Sequence, residues 1–316
     1  TNETAAPLVA LMFPGQGSQY AGMGKDLVGE SSTAARVFEK ADDILGYSLS
    51  RIMVGDDRDK LQRTIYTQPA VFVHSMALWA VLREHCEISP IVAAGHSLGE
   101  YSALCAADVL DFEQALDIIR VRATAMEEAQ PPGSCGMAAL VGPPGDEAVA
   151  MVEADRGDDV LEAANFNSPE QVVVSGHLSA VGRLVTTAKG RKRTKAVMLP
   201  VSSAFHTSLM QSARDALAEK LSAVRLGEGK FQVLANVNGE PYDSGETAKD
   251  LMIDQVVKPV QWVECVRTMK KLGASLFLEI GPGKVLSGLL RRIDRKARAV
   301  SISNLESIRA FQGADQ

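Results

Sequence analysis

Ile91-Val92-Ala93-Ala94-Gly95-His96-Ser97-Leu98-Gly99-Glu100 is the stretch on which the fold turns. Its apolar opening is too short for a helix and is bounded by Pro90 and Gly95, so it reads as a buried strand. A helix is predicted directly from Glu100. Between the two, Gly95-His96-Ser97-Leu98-Gly99 fits G-x-S-x-G. In a strand-to-helix turn this pattern forces the serine into a strained, exposed conformation. Glycines two residues to either side let the backbone fold tightly enough. The helix that follows aims backbone N–H groups at the serine, ready to hold a developing oxyanion. The N–H of Leu98 is the natural donor.

Working outward, apolar runs alternate with amphipathic stretches. Leu8–Phe13 reads as a buried strand ended by Pro14-Gly15, and 33–45, 68–85 and 112–126 read as helices by their apolar spacing. Pro131-Pro132-Gly133-Ser134 then marks a boundary. Beyond it the strands 137–141, 160–164, 171–175 and 196–199 and the helices 147–152 and 178–188 follow in βαββαβ order. That is the ferredoxin-like pattern. A helix (208–224), a strand (231–236), a helix (260–272), a strand (275–280) and a helix after Gly281-Pro282-Gly283 complete the chain. The predicted fold is α/β. A mainly parallel sheet covered by helices is built from residues 1–132 and 201–316, with a small ferredoxin-like subdomain inserted at 133–200.

Composition narrows the function. The chain has 316 residues, 46% hydrophobic and 23% charged, a globular balance that excludes disorder and coiled coil. A net charge of −6 argues against a general nucleic-acid binder. Unbroken apolar runs fall far below the roughly 20 residues that span a bilayer, so no membrane association is expected. No basic-then-apolar leader opens the sequence, so no signal peptide is expected. Cys86, Cys105, Cys135 and Cys265 stand apart without CxxC spacing, which predicts neither a zinc site nor a disulfide framework and fits a reducing cytosol.

A nucleophilic serine needs a base, and there are five histidines. His74 and His85 lie in a predicted helix, and His96 adjoins Ser97 with its side chain turned away. His177 follows a glycine turn in the insert. His206 lies in the loop Ser202-Ser203-Ala204-Phe205-His206-Thr207, after Ser97 in chain order, where the base belongs in nucleophile-first folds. A loop histidine that is only a satisfied polar group is the other reading. No Asp or Glu stands out as its orienter. Gly15-Gln16-Gly17 fails as a dinucleotide fingerprint because Tyr20 occupies the third glycine position. Gly283-Lys284 fails as a P-loop because of Val285 and Leu278. The 15–17 cluster instead brings backbone and a glutamine amide close to a substrate carbonyl.

Six motifs then occur in series: Gly15-Gln16-Gly17-Ser18-Gln19, Gly95-His96-Ser97-Leu98-Gly99-Glu100, Asn165-Phe166-Asn167-Ser168-Pro169, Ala204-Phe205-His206, Pro259-Val260-Gln261-Trp262 and Gly281-Pro282-Gly283-Lys284-Val285-Leu286. In this order they resemble the malonyl-CoA:acyl-carrier-protein transacylases, including the discrete acyltransferases of polyketide synthesis. The resemblance runs from about residue 8 to 305. It implies an α/β-hydrolase-like large subdomain with the ferredoxin-like insert. It implies that Ser97 carries the acyl group as an ester, that His206 is general base and then acid, and that Gln16 and the Leu98 N–H form the oxyanion hole. Arg122 would bind the malonyl carboxylate, Asn167 would lie near the substrate, and the backbone of Gln255 would orient His206. Phe205, just before the base, would exclude a methyl group on the acyl α-carbon and so favour malonyl over methylmalonyl. No bound cofactor or metal is implied, with coenzyme A thioester as substrate.

Arg122 has some independent support. Malonate keeps its negative charge throughout the reaction, and a permanently charged, bidentate arginine suits it better than lysine. An arginine that merely snorkels to the surface is the alternative. Lys189, Arg191, Lys192, Arg193 and Lys195 put five positive charges in seven residues. That is either a solvated turn or a docking patch for holo acyl carrier protein, which is acidic in this family's setting. Arg291, Arg292, Arg295 and Lys296 form a second such cluster. A trans-acting polyketide acyltransferase and an acyl hydrolase of the same fold are the competing functions. A cytoplasmic monomer is expected.

Overall fold

The computed structural model describes residues 6–243 and 246–314. Among them lie nine strands: β1 (Val9–Phe13), β2 (Pro90–Gly95), β3 (Cys135–Val141), β4 (Leu161–Ser168), β5 (Gln171–His177), β6 (Lys195–Met198), β7 (Gln232–Leu234), β8 (Leu276–Ile280) and β9 (Arg298–Ile302). They form a five-stranded sheet, ordered β7-β2-β1-β8-β9, and a four-stranded sheet, ordered β4-β5-β3-β6. The chain divides into two compact units. One holds the residues up to Arg120, Arg225–Leu234 and those from Val266 onward; the other holds Val121–Val224 and Ala235–Cys265.

In the first unit every strand pairing is parallel. β1 and β8 are buried at all five positions, with no inside–outside alternation. This is the signature of strands covered on both faces. The helix Thr64–His85 packs against β8, against the helix Ser32–Leu45 and against the helix Gly99–Ala106. By length and composition it could cross a membrane, yet 83% of its most apolar window is buried inside the protein. Gln68, His74 and Ser75 interrupt its apolar residues, so it offers no unbroken run to the eye.

In the second unit β3, β4, β5 and β6 pair antiparallel throughout, and the helices Gly145–Asp155 and Leu178–Lys189 pack on them. Ala138, Leu140, Met151, Val172, Val174, Val181 and Leu184 form the core between. This is the ferredoxin-like arrangement. The unit is wider than the segment 133–200. It also takes in the helices Gln211–Ser222 and Glu246–Asp254, which pack on one another. Segment 255–265 joins the edge of β4: Phe166 N–H donates to the Val260 carbonyl at 2.9 Å, and Val260 N–H donates to the Ala164 carbonyl at 2.8 Å.

The expected helix over 208–224 is in fact a 3-10 turn, Ser208–Met210, followed by Gln211–Ser222. Thr207 caps the turn by accepting from the Leu209 N–H. The strand expected over 231–236 stops at Leu234, because the backbone turns back there through the Ala235 to Glu240 hydrogen bond. β9 and five short helices (Lys25–Glu30, Leu49–Val54, Arg58–Gln62, Glu246–Asp254 and Leu305–Ala314) add to the predicted elements.

His74 is fully buried, and neither ring nitrogen has a hydrogen-bond partner among the described residues. The Tyr20 ring meets it edge-on at 6.5 Å. Burial pushes its pKa from 6.5 down to about 4, with Asp26 pulling weakly the other way. The unfolded chain therefore binds a proton that the folded chain refuses. Stability falls as pH drops below 6.5 and levels off only near 4. Urea unfolding should lose roughly 2 kcal/mol between pH 7 and pH 5 from this group alone, and a His74→Leu variant should lack that part of the slope. Identical slopes in the two proteins would show that His74 is not the group that titrates.

Candidate active site

Ser97 sits between β2 and the helix Gly99–Ala106 at φ 51°, a left-handed conformation that costs a non-glycine residue about 1–3 kcal/mol. The flanking glycines are required by contact. A Cβ on Gly95 would overlap the carbonyl of Gly99, and one on Gly99 would overlap the carbonyl of Phe13 in β1. His96 N–H donates to the Phe13 carbonyl at 2.9 Å, and Glu100 N–H donates to the Ser97 carbonyl at 3.1 Å. The serine is half-buried and Leu98 is buried.

The Gly15 loop lies against this turn. A Cβ on Gly15 would overlap the His96 carbonyl and come within 3.6 Å of the Leu98 nitrogen. Gln16 thus leaves the backbone beside the elbow, its Nε2 donating to Thr64 Oγ1 at 3.2 Å. Ser18 Oγ ties the loop by donating to the Gly15 carbonyl at 2.7 Å. Gly281, at φ 148°, backs the loop: a Cβ there would press on the Pro14 ring and on Ser75 Oγ. Just before it, the buried Glu279 carboxylate accepts from the N–H groups of Leu286 and Ser287 at 2.9 and 2.7 Å, fixing the start of the helix Val285–Ile293. Burial raises the Glu279 pKa, and these hydrogen bonds oppose the rise.

In the second unit His206 is 2% exposed and also left-handed, at φ 59°. Its Nδ1 lies 2.7 Å from the backbone carbonyl of Gln255. A carbonyl only accepts, so Nδ1 carries a proton and, in the neutral ring, Nε2 is the unprotonated nitrogen. The loop is pinned on both sides. Ser203 Oγ donates to the Met126 carbonyl at 3.2 Å, and Thr207 Oγ1 donates to the Ala204 carbonyl at 2.7 Å. Arg122 is fully buried on the helix Phe112–Glu128, its Nη2 donating to Gln255 Oε1 at 2.8 Å. Phe205 is buried beside His206 in the chain, and Asn167 is buried on β4. Arg120 is exposed and pairs with Asp117.

A strained serine at a helix start and a tautomer-fixed histidine are the parts of an acyl-transfer enzyme. Comparison with known proteins agrees. Residues 11–306 match the acyl transferase domain family. The chain belongs to the acyl transferase family. It is 38% identical over 307 residues to the malonyl CoA-acyl carrier protein transacylase of Staphylococcus aureus (strain COL), covering 97% of this chain and 99% of that protein. It is 37% identical over 305 residues to the transacylase of the same name from Haemophilus influenzae, covering 96% and 97%. Among solved structures, it matches a malonyl-transacylase in complex with the acyl-carrier protein of a type II polyketide synthase. There the TM-score is 0.94 at 36% identity, over 97% of this chain and 99% of that one. The malonyl CoA-acyl carrier protein transacylase of Coxiella burnetii matches with a TM-score of 0.92 at 34% identity, over 97% and 98%.

Of the residues singled out in this acyl transferase, Gln16, Ser97 and Leu98 belong to the first unit. Arg122, Asn167, Phe205, His206 and Gln255 belong to the second. Thr64, Asn236 and Glu279 were not singled out in the sequence. Thr64 and Asn236 act through hydrogen bonds to residues 48 and 19 positions away, and Glu279 through bonds to N–H groups seven and eight residues on; none makes a recognisable sequence motif. No cluster of His, Cys, Asp and Glu suited to a metal ion occurs among the described residues. Lys189, Arg191, Lys192, Arg193 and Lys195 are exposed around the turn into β6, with Arg191 paired to Glu147. Arg291, Arg292, Arg295 and Lys296 are exposed as well.

Proposed function

We propose that this chain transfers the malonyl group of malonyl-CoA to the phosphopantetheine thiol of holo acyl carrier protein through a malonyl ester on Ser97. The observation that carries the reading is Arg122: a fully buried guanidinium held by the residue that also holds the histidine. An enzyme clearing uncharged monoacyl groups has no use for a buried cation, so transfer of a dicarboxylic acyl group is preferred to acyl hydrolysis. The names of the relatives point the same way.

The steps follow from the groups. His206 Nε2 takes the proton of Ser97 as Oγ attacks the thioester carbonyl. The Leu98 N–H and the Gln16 amide hold the oxyanion of the tetrahedral intermediate. Its collapse breaks the C–S bond, and the imidazolium returns its proton to the departing coenzyme A sulfur. The carrier's thiol then loses its proton to His206, attacks the ester, and leaves as the malonyl thioester while Ser97 regains its proton. Arg122 keeps the malonyl carboxylate fixed through both halves, and Asn167 lies near the acyl group. Phe205 leaves no room for an α-methyl substituent. Residues 189–195 attract the acidic carrier. The reaction needs no resident cofactor, and we place it in the cytoplasm, in fatty-acid or polyketide synthesis.

Acyl-enzyme formation from malonyl-, methylmalonyl- and acetyl-CoA tests the acyl pocket. Arg122→Ala should lower kcat/KM for malonyl-CoA on the order of 100-fold without an equal loss for acetyl-CoA, because the bound carboxylate loses its charge partner. Phe205→Ser should lower the malonyl-to-methylmalonyl ratio about tenfold. Equal losses on all three thioesters would remove both residues from selection. Separately, Lys192→Glu with Arg193→Glu should raise KM for the carrier at low salt, with the effect shrinking at high salt and acylation by malonyl-CoA unaffected. An unchanged KM for the carrier would leave the segment a solvated turn.

A further inference from the structure

Gln255 is 1% exposed and is used twice. Its main-chain carbonyl meets His206 Nδ1 at 2.7 Å, and its side-chain Oε1 accepts from Arg122 Nη2 at 2.8 Å. The other end of the carboxamide, Nε2, donates to Asn236 Oδ1 at 3.2 Å. Asn236 is fully buried, and its own carbonyl accepts from the Gln261 N–H at 2.8 Å. The residue before Gln255 is clamped too: Asp254 accepts from Arg214 Nε and from Lys258 Nζ, both at 2.9 Å.

The chemistry of these partners fixes which way the amide faces. A guanidinium only donates, so it must meet the oxygen end of Gln255. The NH₂ end must then find an acceptor, and Asn236 Oδ1 supplies it. A flipped amide would turn N–H groups onto the cation and leave Asn236 Oδ1 without that donor. Gln255 is also neutral. It holds the guanidinium in place without adding a negative charge of its own beside it. A carboxylate in the same position would form an ion pair with Arg122 and repel a second carboxylate.

We infer that the Gln255 carboxamide, oriented by Asn236, is a positioning group that presents Arg122 to the acyl carboxylate and thereby sets selectivity for dicarboxylic acyl groups. This rests on the reading that Arg122 binds that carboxylate. It goes beyond the orienting of His206, which uses only the main chain of Gln255 and would survive any side-chain replacement that preserves the backbone.

The test is acyl-enzyme formation from malonyl-CoA and from acetyl-CoA, with kcat and KM separated, in the wild type, Gln255→Glu, Asn236→Ala and Arg122→Ala. Gln255→Glu keeps the shape and the carbonyl but adds a negative charge beside the guanidinium. The malonyl-to-acetyl ratio of kcat/KM should fall on the order of 100-fold, mainly through KM for malonyl-CoA. Asn236→Ala frees the amide to flip, and the same ratio should fall several-fold, again in KM. A merely structural role would slow both thioesters alike and leave the ratio unmoved. If Arg122→Ala lowers the ratio while Gln255→Glu leaves it at the wild-type value, the inference is overturned and the reading of Arg122 stands. If Gln255→Glu does not fold by circular dichroism, Asn236→Ala decides: an unchanged ratio there overturns the inference. If Arg122→Ala leaves the ratio unchanged, the reading of Arg122 fails and the inference falls with it.

Discussion

A serine held left-handed between two glycines that have no room for a side chain is the constraint on which the first unit depends. The elbow exists only if the helix Gly99–Ala106 starts in contact with the ends of β1 and β2, and that contact is backbone on backbone. The strain at Ser97, about 1–3 kcal/mol, persists because what surrounds it cannot relax. β1 is buried along its whole length, the Gly15 loop lies on the elbow, and Gly281 backs that loop with its own positive φ. Glu279 adds a buried carboxylate that fixes the following helix. Five glycine-bearing or buried-polar positions thus serve one serine's conformation.

The second unit solves a different problem. The proposed base, His206, needs a partner at Nδ1, and here that partner is a main-chain carbonyl instead of a carboxylate. The carbonyl fixes the tautomer without placing a full negative charge beside the imidazole. In an enzyme that receives an anionic acyl group this matters. A carboxylate orienter near Arg122 would compete for the guanidinium and repel the substrate. Gln255 holds His206 through its backbone and Arg122 through its side chain, and both of these contacts are with neutral groups.

How far all this was legible follows from the range of each interaction. G-x-S-x-G between a strand and a helix is local, and its geometry is as its residues imply. The βαββαβ order is equally local, carried by period and turn residues. The wider second unit was not visible, because Val260 joins the edge of β4 across nearly a hundred residues and no propensity marks that pairing. By itself Arg122 could also be read as an arginine that snorkels to the surface, since its buried partner Gln255 lies 133 residues away. The Gln255 side chain and Asn236 were invisible for the same reason: a buried amide network has no sequence period. The helix Thr64–His85 was read only from Gln68; its first four residues lie ahead of Pro69, a residue that ordinarily marks the start of a helix.

The central claim is that the acyl group rests on Ser97 between donor and acceptor. Mass spectrometry of the intact protein and its peptides after brief exposure to malonyl-CoA tests it most directly. The account predicts one added malonyl group, on the peptide containing Ser97, discharged by holo acyl carrier protein and missing from Ser97→Ala. An alanine variant that is still labelled at a comparable rate, or a malonyl group found on any other residue, would contradict it.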